Sequence, residues 1–289
     1  MTITIAPGSV VVGVDGSRGN EVAVRWAARR AQDTNSRLVI AHAVGTTPAS
    51  GDVLNPEEGR RRSRAAARTV AADARLLAER TVANLEIDTV VRMGDARQAL
   101  LDLSTSASMV VVGTRGRGPV KSLVLGSVSA AVASHAVCPV AVVRPGAPDD
   151  AGPRPEVAGV DGGPTTGAVL GLAYDLADCE GRPLVVVLCW EMRGHLAGSG
   201  AYSTWVRERG DRERLLEEAM ALHAEKHPDV RAQRQVVEDD PVLFLVERSR
   251  EAAEVVLGSR GLSWARAVIG SVSRAVVERA ACTAVVVRS

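Results

Sequence analysis

Two stretches of this chain carry the same chemistry-bearing pattern. Residues 110–129 read VVVGTRGRGPVKSLVLGSVS, and residues 255–273 read VVLGSRGLSWARAVIGSVS. Each runs from an apolar, β-branched segment into G-x-x-G, then through a variable stretch into G-S-V-S. The first copy supplies Gly113, Gly116, Gly126, Ser127 and Val128; the second supplies Gly258, Gly261, Gly270, Ser271 and Val272. The chemistry this pattern suits is anion binding. Glycines remove Cβ atoms, so backbone N–H groups can close on phosphate oxygens. A helix opening at the G-S step adds amides with no intrahelical partner and the positive end of the helix dipole. Ser127 is expected to cap that helix, with the Ser127 and Ser129 hydroxyls joining the amides on a phosphate. One isolated copy is explained as well by an ordinary turn and helix cap; two copies at matched places favour the anion site.

A second repeated group is acidic. Val11-Val12-Gly13-Val14-Asp15-Gly16 recurs as Val157-Ala158-Gly159-Val160-Asp161-Gly162. Asp15 and Asp161 each close an apolar run, at the strand end where open parallel sheets hold their ligands. Such an Asp can accept from ribose hydroxyls, or it can build an Asx-turn into the following glycine. Two other phosphate motifs are missing. There is no G-x-x-x-x-G-K-[ST], and Gly116-x-Gly118 fails G-x-G-x-x-G because Lys121 stands where the third glycine belongs.

The elements that must position these residues follow from the duplication. Ala136–Arg144 recurs as Ala280–Arg288, with nearly the same separation along the chain as the other repeats. Two copies of one domain are therefore expected, residues 1–146 and 156–289. They are joined by a linker at 147–155 within a Pro-, Gly- and Asp-rich run, PGAPDDAGPRP. In the first copy the patterns predict strands over 9–14, 38–44, 87–92, 109–113 and 140–144, and helices over 20–33, 57–83, 96–106 and 127–136. The second copy predicts strands over 156–160, 184–190, 230–237, 254–258 and 284–288. Short Val-rich runs alternating with helices imply an α/β fold: two tandem, doubly wound, open parallel sheets of five strands each, Rossmann-like. Polar stretches at 45–55 and 191–202 are expected to be mobile loops beside the site. The last strands, 140–143 and 284–287, need partners as apolar edges. They are expected to pair with each other across a pseudo-twofold, as an internal pseudo-dimer, or by exchange between two chains.

Composition bounds the function. The chain has 289 residues, 46% of them apolar, enough for a packed core in each half. Aromatics are 2%, which disfavours modules that stack bases on aromatic side chains, and the net charge of +1 steers it to neither nucleic acid nor an anionic membrane. No apolar run approaches the ~20 residues of a membrane span. MTITIAPGS has no basic start followed by an apolar core, so a cytoplasmic protein with reduced thiols is expected. Cys138, Cys179, Cys189 and Cys282 form no C-x-x-C and no Cys/His cluster at metal spacing, so no metal site is expected, and packing is the reading for Cys138 and Cys282. Arg60, Arg61 and Arg62 read first as a solvated helix face with intrahelical ion pairs, and only second as a docking patch. No Ser/His arrangement or carboxylate pair marks a catalytic base, so no catalytic residue is assigned.

These residues resemble the universal stress protein family, and the chain is similar to a tandem member of its ATP-binding type over nearly its whole length. Gly113-x2-Gly116-x9-Gly126-Ser127 matches that family's G-x2-G-x9-G-[ST] position for position. The resemblance implies ATP, with or without Mg2+, and an unidentified regulatory protein partner. It assigns Asp15 and Gly113 to ribose, with Gly13 and Val14 leading into that site. Ala43 goes to adenine through its backbone, and Gly116, Gly126, Ser127 and Val128 to phosphates. The second copy keeps Asp161, Gly258, Gly261, Gly270 and Ser271, but its loop from Gly261 to Gly270 spans eight residues, not nine. Cys189-Trp190 is read there as replacing His42-Ala43, with Trp190 either stacking on adenine or filling its pocket. The function implied is stress signalling through nucleotide occupancy. The alternatives are a slow ATPase or nucleotidyl-transferring enzyme, and a nucleotide-independent scaffold.

Overall fold

Strands buried on both faces need near-continuous apolar side chains, and Val suits the pleated backbone. The first unit, Met1–Asp149, follows that rule. The computed structural model describes residues 5–17, 19–45, 56–114, 125–145, 152–190, 201–259 and 269–288, side chains of 56 and 201–205 excepted. The first unit alternates β1 (Ser9–Val14), α1 (Gly19–Asp33), β2 (Leu38–Val44), α2 (Pro56–Thr81), β3 (Ile87–Met93), α3 (Ala96–Ser104), β4 (Ala107–Gly113), α4 (Ser127–His135) and β5 (Val140–Val143). Its strand order is β3-β2-β1-β4-β5, every pair parallel. The chain winds outward from β1 to β3, then returns to the other side of β1 as β4. That reversal opens a crevice between β1 and β4 at their carboxyl ends.

α1 and α2 pack together on one face, α3 and α4 on the other. α1 turns Ala23, Ala27, Ala28 and Ala31 to the sheet, small side chains that let helix and strands approach closely. Val10, Val11, Val12, Val110 and Val111 are at most 1% exposed, so the core lies along the central strands.

The second unit, Asp150–Ser289, repeats this plan. It runs β6 (Glu156–Val160), α5 (Thr166–Cys179), β7 (Leu184–Trp190), α6 (Ala201–Ala224), β8 (Ala232–Glu238), α7 (Pro241–Arg248), β9 (Glu254–Gly258), α8 (Ser271–Arg279) and β10 (Thr283–Val287). Its order is β8-β7-β6-β9-β10, again parallel. The doubly wound α/β architecture is thus as expected, with element ends within three residues of the sequence reading. The expected mobile loops lie outside the described residues, apart from Gly45 and from 201–202 at the start of α6. Arg62 is exposed and pairs with Glu58 at 3.0 Å, the solvated-face arrangement. No described helix is long and apolar enough to cross a membrane.

Candidate functional site

The crevice of the first unit is built from backbone. Gly126, with φ −64° and ψ 152°, is the N-cap of α4, and its carbonyl accepts from Ala130 N–H at 2.8 Å. Ser127 is therefore the first helical residue, a correction to its expected capping role. The consequence favours a ligand: a glycine cap has no side chain to satisfy the first turn, so the Ser127, Val128 and Ser129 amides lack an intrahelical partner. Gly126 N–H donates to the Thr114 carbonyl at 2.8 Å, and Thr114 N–H to the Val143 carbonyl at 3.0 Å, which ties the helix start to β4 and β5. Ser129 is a second correction. Its buried hydroxyl donates to the Gly113 carbonyl at 2.6 Å, so it joins α4 to β4 instead of offering its proton to a phosphate. Ser127 remains exposed and Val128 half-buried.

Across the crevice, Asp15 Oδ1 accepts from Ser17 N–H at 2.9 Å, the Asx-turn geometry, with Gly16 at φ +77°. A brace that sequence reading did not foresee holds this turn. Ser17 Oγ donates to Asn20 Oδ1 at 2.8 Å, and Asn20 Nδ2 donates to the Gly13 carbonyl at 3.1 Å. Gly13 itself serves packing: a Cβ there would lie 2.9 Å from Leu100 Cδ1 of α3. Val14 is buried, and its carbonyl sits 2.6 Å from His42 Nδ1. A carbonyl only accepts, so Nδ1 carries a proton in this contact. Ala43 is half-buried on β2, in register with Arg92 of β3. The structure thus brings Asp15, Gly113, Gly126, Ser127 and Val128 to one end of the sheet. Gly116 and Gly261 lie outside the described residues.

The second unit repeats the cradle bond for bond. Gly270 caps α8 at φ −59° and ψ 155°, and its N–H donates to the Ser259 carbonyl at 2.7 Å. Ser259 N–H reaches the Val287 carbonyl at 2.7 Å, and Ser273 Oγ donates to the Gly258 carbonyl at 2.5 Å. Ser271 is exposed, and Val272 packs against the core around Val255 and Leu257. Asp161 Oδ1 accepts from Gly163 N–H at 2.9 Å, with Gly162 at φ +77°. The brace, however, is gone. Gly163 and Thr166 stand where Ser17 and Asn20 do, and Thr166 Oγ1 is buried without a hydrogen bond.

The adenine side differs more, and strand register corrects the sequence reading. Val14 faces His42, and Val160 faces Leu188. Leu188 therefore occupies the place of His42, Cys189 that of Ala43, and Trp190 that of Val44. A slip of one residue turns each side chain to the other face of the sheet, which is why the choice matters. Trp190 is 5% exposed, with the Arg212 guanidinium of α6 4.4 Å from its ring centroid. That geometry favours filling the pocket over offering a face to a base. Burial first, then Asp239 and Asp240, push the Cys189 thiol up to about 12, so it is un-ionised at neutral pH. Among the described residues no group of three or more His, Cys, Asp or Glu could hold a metal ion.

Known proteins share this fold and sequence pattern. The universal stress protein family model matches residues 8–144 and 156–288. A universal stress protein of Mycolicibacterium smegmatis is 33% identical over 292 residues, with 96% of each chain covered. The crystal structure of a universal stress protein from Archaeoglobus fulgidus superposes with a TM-score of 0.66 at 15% identity, over 98% of this chain and 97% of that one. A universal stress protein solved in complex with cAMP matches 48% of this chain and 98% of its own length, at 28% identity and a TM-score of 0.36. With both halves matched by the family model and a full-length relative at this identity, the chain belongs to the universal stress protein family.

Proposed function

We propose that the first unit binds an adenine nucleotide, ATP in the reading that its glycine pattern supports, and that occupancy regulates a partner protein. One observation carries the proposal: the first turn of α4 has a glycine cap and no capping side chain, at the crevice where Asp15 stands across from it. Three amides, the Ser127 hydroxyl and the helix dipole favour phosphate there, and Asp15 suits ribose hydroxyls. Mg2+, where present, comes with the phosphates. No side chain is assigned to activate water, so turnover is incidental.

Calorimetric titration of ATP into the full chain tests the reading, with Ser127→Pro as the informative variant. Proline suits the first helical position, and Gly126 already has the extended backbone that a residue before proline prefers. The variant keeps the helix and loses one N–H and one hydroxyl. Binding is expected to weaken about tenfold, or ~1.4 kcal/mol. Equal affinity in the two proteins removes the assignment.

A further inference from the structure

The two crevices differ at the end where a nucleoside would lie. In the first unit that end spans the carboxyl ends of β1 and β2, with Asp15 just after β1 and Ala43 on β2. In the second it spans the ends of β6 and β7, and α6 of the same unit reaches over both. Trp190, the last residue of β7, is buried, with the Arg212 guanidinium of α6 over its ring. Arg212 is fixed in that place. Its Nη1 donates to the Glu208 carbonyl one turn back at 3.0 Å and pairs with the Glu208 carboxylate at 3.4 Å. Leu215, three residues on and therefore on the same helix face, reaches the acidic turn. A Cβ on Gly162, next to Asp161, would lie 3.2 Å from Leu215 Cδ2.

The first unit has smaller side chains at the matched places. Val82 N–H donates to the Ala78 carbonyl at 2.9 Å, and His227 N–H to the His223 carbonyl at 3.0 Å. From there the two chains run in step to Glu86 and Arg231, whose carbonyls accept from Leu38 and Leu184. Ala78 therefore matches His223. Counting back along the unbroken helices, Ala67 matches Arg212 and Val70 matches Leu215. The strand ladder matches Val44 to Trp190. A valine and an alanine thus stand where a guanidinium covers an indole. In a closely packed molecule the two larger side chains leave that space to nothing else, and the attraction of a cation for an indole face holds them together.

We infer that Trp190 and Arg212, with Leu215, plug the nucleoside end of the second crevice, and so decide that the chain takes one nucleotide and not two. The inference rests on the adenine-nucleotide reading of the first unit and goes beyond it by naming the side chains that separate the two crevices. The cradle at Gly270 does not separate them, since its bonds repeat those at Gly126.

Equilibrium binding of ATP to the full chain, read as moles bound per mole of protein, tests it. Wild type is expected to bind one. Trp190→Val with Arg212→Ala copies the first unit and is expected to bind one more. Ser271→Pro added to that pair is expected to remove the gained site, because Gly270 already has the extended backbone that a residue before proline prefers. If thermal unfolding shows that the pair does not fold, Arg212→Ala alone decides: it uncovers one face of Trp190 and is expected to bind more ATP than wild type. No gain in the folded pair, or in Arg212→Ala where the pair does not fold, overturns the inference whatever wild type binds. Two ATP on wild type also overturns it, and loss of one of them with Trp190 would mean that the indole stacks on adenine. A wild type that binds none, with a variant that binds one, removes the reading of the first unit and leaves the plug standing.

Discussion

At the carboxyl ends of their strands the two units make the same bonds. Gly126 and Gly270 cap their helices, and Ser129 and Ser273 tie those helices to Gly113 and Gly258. At the amino ends of the strands they part company. Val10 and Met109 fill the base of the first sheet, at 1% and 3% exposure. Glu156 and Glu254 stand in those places in the second, adjacent on β6 and β9, at 0% and 3%. Arg182, which precedes β7, donates to Glu156 Oε1 at 2.9 Å and also pairs with Glu180. Burial, then the neighbouring Glu254, hold the Glu156 carboxyl well above its usual range against the pull of Arg182. The cradles coincide because their bonds run through backbone and one hydroxyl, so Thr114 and Ser259 serve alike. The base is filling, apolar in the first unit and in the second a buried polar cluster in which Glu156 Oε2 makes no hydrogen bond.

The base should give the largest response. Arg182→Met strips Glu156 of its cation, and the second unit is expected to lose about 3 kcal/mol, a typical cost for breaking a buried pair. The first unit should melt as before, which calorimetry of the full chain resolves if the units unfold separately. Glu156→Val with Glu254→Met copies the first unit and is expected to be neutral or stabilising. The pH dependence has a definite sign. A carboxyl with a raised folded pKa contributes stability that is complete at acid pH and lost as pH rises through that value. The transition of the second unit should therefore fall as pH climbs above the ordinary carboxylate range, and Glu156→Gln should flatten it. An equally steep fall in Glu156→Gln would place the pH sensitivity elsewhere.

The cradles sharpen the comparison from the other side. Ser129→Ala and Ser273→Ala each leave a buried carbonyl without its donor, at about 1–2 kcal/mol. The two losses are expected to match, and a difference between them, measured by denaturant unfolding, would break the equivalence of the cradles. The smallest effect is chemical. Cys179 is exposed, whereas Cys189 is half-buried and un-ionised. Iodoacetamide at mildly alkaline pH should mark Cys179 and spare Cys189, and mass spectrometry after digestion would report a modified Cys189 if its burial were wrong.

The elements were legible because Val-rich runs and helical periods alternate without ambiguity, and the duplication checks each one against its copy. What escaped was decided by position to within one residue. A serine after a glycine resembles a cap, yet the carbonyl that Ala130 bonds belongs to Gly126. Matching Cys189-Trp190 to His42-Ala43 is one residue out, and only the ladder, with Val14 opposite His42 and Val160 opposite Leu188, fixes the register. Glu156 and Glu254 lie far apart in sequence, and a parallel sheet makes them neighbours. Their signal was present all the same: two carboxylates in one copy stand where the other has Val10 and Met109.

The order of strands also bears on how the chain is made. β1 ends up between β2 and β4, but the ribosome delivers β4 only after two helices and a further strand. At the ~5–20 residues per second of synthesis, Val10, Val11 and Val12 wait on the order of ten seconds with one flank of β1 open. A growing chain of this design leaves a Val-rich strand open on one flank for that interval, and must find shelter for it from a chaperone or from its own first two helices.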